Sequence, residues 1–192
     1  MNIRRILNRK IWNNTGSSLV EMLATVLLMG IMGVALVVGV ATVQNTHGKI
    51  VRKANEQTLL STTLIEMRNA IRKSVDSKVL STDGIVTVYF KSRDGYWFSF
   101  VNPNDSTGEK GIQIKYYYLN ENGVFTSQGD PISVVAKSNG NISGIYSRFD
   151  GIESISAGTF KIKNLTVGND NDVPVTLESY IVKQIVSTMG GS

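Results

Sequence analysis

Hydrophobic and polar residues follow three successive patterns along this chain. The first pattern is a long apolar stretch, in which the 25 residues from Met22 to Thr46 carry no ionisable side chain. If the most apolar part, about 22 residues, forms a helix that rises about 1.5 Å per residue, it spans roughly 33 Å, close to the hydrocarbon thickness of a bilayer. The pattern therefore predicts a membrane-spanning helix.

The second pattern runs from Lys49 to Val75, where polar residues separate apolar ones at spacings of mostly three, four or seven. These spacings are typical of an amphipathic helix, which we expect to continue the membrane helix as one rod and to pack its apolar stripe on the rest of the chain. A separate coiled-coil strand is the weaker alternative, because the seam would be short. The stripe consists of Ile50, Ala54, Leu60, Leu64, Met67, Ile71 and Val75.

The third pattern is rich in β-branched and aromatic residues, interrupted by turn sequences at Ser92–Gly95 and Glu121–Gly123. A long N-terminal helix followed by such strands predicts an α+β fold, with the helix packed on an antiparallel β-sheet head. The predicted strands are Ile85–Phe90, Tyr96–Val101, Ile112–Leu119, Ile132–Ala136, Thr159–Val167 and Val175–Ile185.

Charge is unevenly distributed along the chain. The net charge is +5, but the first 16 residues contribute four basic residues and no acid, which leaves 16 basic against 15 acidic residues, a net of +1. With no basic stripe in the body, we expect it to bind no nucleic acid. The N-terminal charges favour a cytoplasmic N-terminus and an external head, although Lys49, Arg52 and Lys53 beyond the apolar block weaken that bias. The chain has no cysteine, which excludes disulfides and thiolate metal sites.

Three interpretations of the apolar block remain open. A cleaved secretory signal has a shorter apolar region, although Gly39-Val40-Ala41 is an acceptable cleavage site. A plain signal anchor fits the hydropathy as well as any alternative. Glu21, three residues inside the apolar run that starts at Leu19, favours a specialised segment, because an ionised group in lipid costs a few kcal/mol and usually has a partner or a function. Its ordinary explanation is a side chain that reaches the membrane interface.

The segment Gly16–Glu21, with the sequence GSSLVE before the apolar run, resembles the class III signal of type IV prepilins. In that family a membrane-embedded prepilin peptidase cleaves after the glycine, and the new N-terminal amine is methylated. The resemblance implies cleavage after Gly16, a mature chain that starts at Ser17, and Glu21 as its fifth residue. It covers roughly residues 9 to 75.

The chain departs from the family pattern at several positions. Ser17 and Ser18 stand where the family most often has Phe and Thr, and the helix lacks the proline of many major pilins. Glycines at positions 30, 33 and 39 would supply similar local weakness, or would allow close helix packing in the membrane. Further along, Tyr116–Leu119, the turn at Asn120–Gly123 and Val124-Phe125 are faintly similar to minor pseudopilins of the J or W type.

The resemblance implies a structural subunit, a minor pilin or pseudopilin of a type IV pilus, type II secretion or DNA-uptake filament. Its expected partners are other pilin or pseudopilin subunits, the prepilin peptidase, an assembly ATPase with its platform, and membrane lipid. It would occupy the cytoplasmic membrane as a precursor and an extracytoplasmic filament once assembled. The expected segments are a cleaved leader (1–16), a membrane and assembly helix (17–48), an amphipathic helix (49–76) and a β head (77–192).

Chemistry that would mark an enzyme is weak in this sequence. His47 has no second imidazole or cysteine beside it for a metal or nucleophile site. The run Gly168–Asp172 carries oxygen ligands for calcium, but it lacks the full twelve-residue calcium-binding loop and its distal Glu. A solvated turn is therefore the simpler interpretation. We therefore expect no catalytic residues, no metal and no cofactor. An anchored binding module that never polymerises, or an anchored enzyme with converging acids, are the competing classes.

Overall fold

The computed structural model describes residues 18–82, 85–102, 111–135, 144–169 and 173–185. The chain divides into two compact units, Met1–Val51 and Arg52–Ser192. The fold is α+β, with one long N-terminal apolar helix packed on antiparallel β-structure. The single described helix, α1, spans Ser18–Lys73 and contributes residues to both units.

The helix ends where its sequence supplies a local stop. Arg72 and Lys73 lie in the last turn, where positive side chains interact favourably with the helix dipole. The Ser74 hydroxyl donates a 2.6 Å hydrogen bond to the Ile71 carbonyl, which satisfies one of the acceptors that a helix end leaves free. The Val75 amide then donates to the Lys91 carbonyl at 2.8 Å, so the chain passes directly from the helix into a sheet.

Five strands form the first sheet, in the order β1-β2-β3-β4-β5 with antiparallel pairing throughout. Their bounds are β1 Asp76–Thr82, β2 Ile85–Lys91, β3 Trp97–Val101, β4 Gln113–Leu119 and β5 Phe125–Ser133. The two predicted turns are confirmed: Gly95 and Gly123 have φ values of 90° and 76°, which suit glycine, and their amides donate to the carbonyls of Ser92 and Asn120.

The second sheet is built around its longest strand, β8. β6 and β7 pair with successive parts of one edge of β8, and β9 pairs with the other edge. The bounds are β6 Tyr146–Arg148, β7 Gly151–Ser156, β8 Thr159–Gly168 and β9 Val175–Lys183.

The hydrophobic core of the second unit is shared by the helix and both sheets. Met67 and Ile71 of α1 are fully buried in it. The Phe90 ring of β2 and the Phe160 ring of β8 meet edge to face at a centroid distance of 4.9 Å, which joins the two sheets. The other members of the core cluster are Val88, Phe98, Phe100, Ile112, Phe149, Ile152, Ile162, Leu165 and Val182.

Four strands differ from the sequence-based prediction. β1, β6 and β7 were not predicted, and β5 starts at Phe125, seven residues before the predicted start at Ile132. β1 has few strongly β-forming residues and exists as the edge partner of β2. β5 contains Gly129 and Pro131, which are tolerated because β5 is the other edge of its sheet. The end of the predicted strand at Ala136 lies outside the described residues.

The predicted apolar stripe of the helix is correct in its C-terminal half and wrong at its ends. Leu60 and Leu64 pack against the core, and Met67 and Ile71 are members of it. Ala54 is exposed, and Val75 is exposed and lies beyond the helix end at Lys73. Ile50 is likewise exposed. Glu56 and Thr63 are buried instead, so part of the packed face is polar.

Candidate functional site: the apolar helix segment and the exposed surfaces of the second unit

The N-terminal part of α1 presents apolar side chains to its surroundings on every side. An 18-residue window of this helix has a mean hydropathy of 2.6, and none of it is buried within the structure. A soluble domain covers such a surface with other parts of its own fold, whereas a bilayer or a bundle of like helices can cover it from outside. This segment is thus long and apolar enough to serve as a single-pass membrane anchor.

Glu21 lies in the first turn of α1, between exposed Val20 and Met22. An acid at this position interacts favourably with the positive end of the helix dipole, and this provides an ordinary structural role. The same placement puts one carboxylate on a mostly apolar surface that carries no other ionisable side chain as far as Thr46. A molecule that covers this part of the helix must therefore also accommodate a negative charge.

The hydroxyl groups of the apolar segment are satisfied within the helix. Thr25 donates to the carbonyl of Glu21, four residues earlier. Thr42 and Thr46 donate to the carbonyls of Val38 and Thr42, each at 2.8 Å. Such internal bonds remove the cost of placing a hydroxyl in hydrocarbon, so these threonines are compatible with a lipid environment.

The glycines of the apolar segment are not required by contacts within the chain. A Cβ added at Gly30, Gly33, Gly39 or Gly48 would meet no atom within 4 Å apart from the glycine's chain neighbours and the nearby helix backbone. The open backbone at Gly30, Gly33 and Gly39 would let another helix approach closely, and each glycine lowers the intrinsic stability of the helix.

Two of the predicted site residues, Gly16 and Ser17, lie outside the described residues, as do Asp170, Asn171 and Asp172 of the calcium candidate. Within the described part of the chain, no three His, Cys, Asp or Glu side chains come close enough to hold a metal ion.

A buried carboxylate that the sequence analysis did not single out lies near the start of the second unit. The Glu56 side chain is 3% exposed; one oxygen lies 3.6 Å from Arg52 Nε and the other 3.4 Å from Lys53 Nζ. The Lys53 contact is an ion pair without hydrogen-bond geometry. Lys53 Nζ also donates to the Val173 carbonyl at 3.3 Å. Lys53, which contacts the Glu56 carboxylate, therefore links the helix to the connection between β8 and β9.

An aromatic cluster occupies the face of the first sheet that points away from the core. Tyr89 stacks on Phe125 with a centroid distance of 3.9 Å, and Trp97 and Tyr117 meet Phe125 edge to face. Burial raises the pKa of Tyr89, and the neighbouring Tyr117 raises it further. Because Trp97 is only 5% exposed, this cluster is a small second core and not an open stacking platform.

Lysine side chains border the aromatic cluster. Lys78 and Lys91 place their Nζ atoms 5.6 and 5.8 Å from the centroid of Trp97. Lys115 lies 5.9 Å from the centroid of Tyr117. Ammonium groups at these distances are attracted by the faces of the rings, which is a cation–π arrangement. The sequence did not reveal this convergence because the lysines come from three different strands.

No protein-family model, curated protein or solved structure matches the chain.

Proposed function

We propose that the chain is a type IV pilin-like prepilin, a structural subunit of an extracytoplasmic filament. The filament would be a type IV pilus, a type II secretion pseudopilus or a DNA-uptake filament, and the subunit a minor pilin or pseudopilin. A prepilin peptidase would cleave the peptide bond after Gly16. Anchoring would place the N-terminus inside and the second unit outside the cytoplasmic membrane.

The observation that carries this proposal is the apolar surface of α1 with Glu21 in its first turn. The segment is exposed on all sides and needs an external cover. Lipid supplies such a cover before assembly, and the equivalent helices of neighbouring subunits supply it afterwards. One helix can therefore serve first as a membrane anchor and later as a packing element in a filament.

The proposed role of Glu21 follows from the chemistry of cleavage. Hydrolysis after Gly16 creates a cationic amine on Ser17, four residues before Glu21 in the sequence. In a nearly water-free filament core an unpaired carboxylate or ammonium is costly, and that cost is reduced if the amine of one subunit meets the Glu21 carboxylate of its neighbour. The pairing would set the axial register of the subunits and favour their extraction from the membrane.

N-terminal sequencing and intact-mass measurement test this proposal directly. The full chain is expressed in bacteria with and without a co-expressed prepilin peptidase, and the membrane-bound product is purified. We expect a chain that starts at Ser17 only when the peptidase is present. An added methyl group on the Ser17 amine would identify the second modification of the family.

Gly16→Ala is the matched control, because its side chain occupies the space next to the bond that is cut. We expect this variant to keep its Met1 start under both conditions. If the unmodified chain also keeps Met1 with an active peptidase, the prepilin proposal is wrong and the chain is a signal-anchored ectodomain that acts as a binding module. A start near Thr42 would instead identify the apolar block as a cleaved secretory signal.

A further inference from the structure

A groove lies between the last turns of α1 and strand β9, wholly within the second unit. Its volume is about 330 Å³, within the range of small-molecule sites. Arg68 and Arg72 line it from the helix, and Lys183 lines it from the strand. Tyr180 and Ile185 add aromatic and apolar surface.

The charge of this groove has one sign. Three of its lining residues are cationic, and no Asp or Glu lines it. Arg68, Arg72 and Lys183 form no ion pair with any residue in the described part of the chain. Arg68 and Arg72 are also four residues apart on the helix, a spacing at which two like charges repel.

One of the donors in the groove has no acceptor. Arg68 Nε is buried and makes no hydrogen bond in the structure. Burial removes the water that would otherwise accept from this N–H group, so the group is costly unless another acceptor reaches it. Because the Nε atom is itself shielded from solvent, an external oxyanion supplies the missing acceptor only if the Arg68 side chain turns towards the groove.

Stabilisation of the helix end explains only part of this arrangement. Positive side chains in the last turn interact favourably with the helix dipole, and this accounts for Arg72 and Lys73. It does not account for Lys183, which comes from β9, or for the buried donor of Arg68. Strand β9 thus brings a third cation, Lys183, to a place where the helix already supplies two.

We propose that this groove binds a phosphate-bearing anion through Arg68, Arg72 and Lys183. A phosphate monoester carries a charge of about −1.5 to −2 near neutral pH, which matches three cations better than one carboxylate does. Guanidinium groups bind phosphate oxygens through charge-assisted hydrogen bonds. The phosphate comes either from a free, soluble ligand or from a lipid headgroup, whose acyl chains would lie on Ile181 and Ile185.

The test is an NMR titration of the isotope-labelled full chain in a non-ionic detergent, with inorganic phosphate as the probe and chloride at equal ionic strength as the reference. We expect saturable shifts of the backbone amides of Lys183, Gln184 and Ile185. Arg72→Gln and Lys183→Gln should each weaken binding about tenfold, because each removes a charge-assisted contact. Lys73→Gln is the matched control. It removes a positive charge next to Arg72 in the sequence, but the Lys73 side chain lines a different pocket.

Three results would overturn the proposal. They are the absence of saturable phosphate binding, equal affinity in the wild type and Lys183→Gln, and equal weakening by Lys73→Gln and Arg72→Gln. Thermal unfolding of each variant shows whether it is folded, and Arg68→Lys serves as a second variant that keeps the charge but loses the Nε donor. It should bind more weakly than the wild type.

A second arm distinguishes the two sources of phosphate. Glycerol phosphate and a short-chain phosphatidic acid present the same anion without and with acyl chains. Equal affinity for both identifies a soluble ligand. Tighter binding of the lipid, with shifts of the Ile181 and Ile185 methyl groups, identifies a headgroup. Lipid binding that Lys183→Gln leaves unchanged would count against the site in either form.

Discussion

Glu21 is the residue on which the proposed assembly mechanism depends, and its substitution separates processing from assembly. We expect Glu21→Ala to be cleaved after Gly16 as efficiently as the wild type, because cleavage depends on the glycine and on membrane insertion. We expect its incorporation into filaments to fall at least about tenfold, since the Ser17 amine of the neighbour would then be buried without a partner, at a cost of several kcal/mol. The measurement is the amount of this chain in sheared filaments relative to the membrane fraction.

Glu66→Ala is the matched control for this substitution. Glu66 is an exposed acid on the same helix, but it lies in the second unit. Its loss should leave both processing and incorporation unchanged. Normal incorporation of Glu21→Ala would contradict the pairing mechanism, while failure of Glu66→Ala as well would indicate a general effect of helix charge.

A second residue-scale prediction concerns the ion pair between Glu153 of β7 and Lys163 of β8, whose side chains lie 2.8 Å apart. The hydrogen bond and charge of Lys163 lower the pKa of Glu153, and the charge of Lys161 lowers it further. Carboxyl NMR should therefore give a midpoint below the ordinary Glu value of 4.5. Lys163→Gln should move the midpoint back towards that value, and Lys115→Gln should not change it.

The lowered pKa of Glu153 determines how the ion pair with Lys163 changes stability with pH. A pKa lowered by folding means that the folded state favours the ionised carboxylate. The contribution of the ion pair to stability is therefore complete above the ordinary pKa of Glu, and it is lost as pH falls through the lowered pKa of Glu153. Because the Lys163 and Glu153 side chains are 45% and 52% exposed, water screens the pair and the effect on stability is small. An increase in the Glu153 midpoint above 4.5 would contradict the assignment.

At the scale of elements, long apolar and strongly patterned segments were predictable from the sequence, whereas edge strand β1 and the extent of edge strand β5 were not. β3 and β8 are rich in β-forming residues, so the local sequence pattern was sufficient to predict them. β1 and β5 contain Ser, Asp, Lys, Gly or Pro and form because a neighbouring strand offers hydrogen bonds. Pairing of this kind is a property of the tertiary fold and leaves little local signal.

The helix face that packs on the sheets gives the element-scale prediction. Met67 is fully buried, whereas Ile65, two residues earlier, is 44% exposed. Met67→Ala should lower the free energy of unfolding by about 2–5 kcal/mol, through lost burial and the cavity left behind. Ile65→Ala should change it by less than about 1 kcal/mol.

Urea unfolding followed by Trp97 fluorescence, in a Trp12→Phe background, measures both variants in the same detergent. Trp97 is a suitable reporter because it is buried within the second unit. Equal destabilisation by the two substitutions would show that the packed face of the helix has been assigned incorrectly.

At the scale of the whole molecule, the acid in the apolar block is visible in the sequence, but the cluster of cationic side chains at the groove is not. Glu21 is visible because it interrupts a run of apolar residues that are contiguous in the chain. Arg72 and Lys183 are more than a hundred residues apart and meet only after β9 has paired with β8. The net charge of +1 after residue 16 is also an average, and it conceals the local excess of positive charge at the groove.

The division into two units leads to the last prediction, that a fragment of residues 52–192 folds without the apolar segment. Every member of the core cluster lies at or after Met67, so the fragment keeps the whole described core. It loses the exposed apolar surface that requires detergent or lipid. We therefore expect a monomer in detergent-free buffer by size-exclusion chromatography, with a cooperative thermal transition and the Trp97 emission of the full chain.

Met67→Ala in the same fragment is the internal control, because a fragment stabilised by this core must lose several degrees in Tm when Met67 is truncated. A fragment that aggregates, or that melts without cooperativity, would mean that the second unit needs residues before Arg52 for its stability. The apolar helix would then belong to the folding unit as well as to the membrane. An assembly mechanism that repacks this helix would in that case have to preserve the contacts that stabilise the second unit.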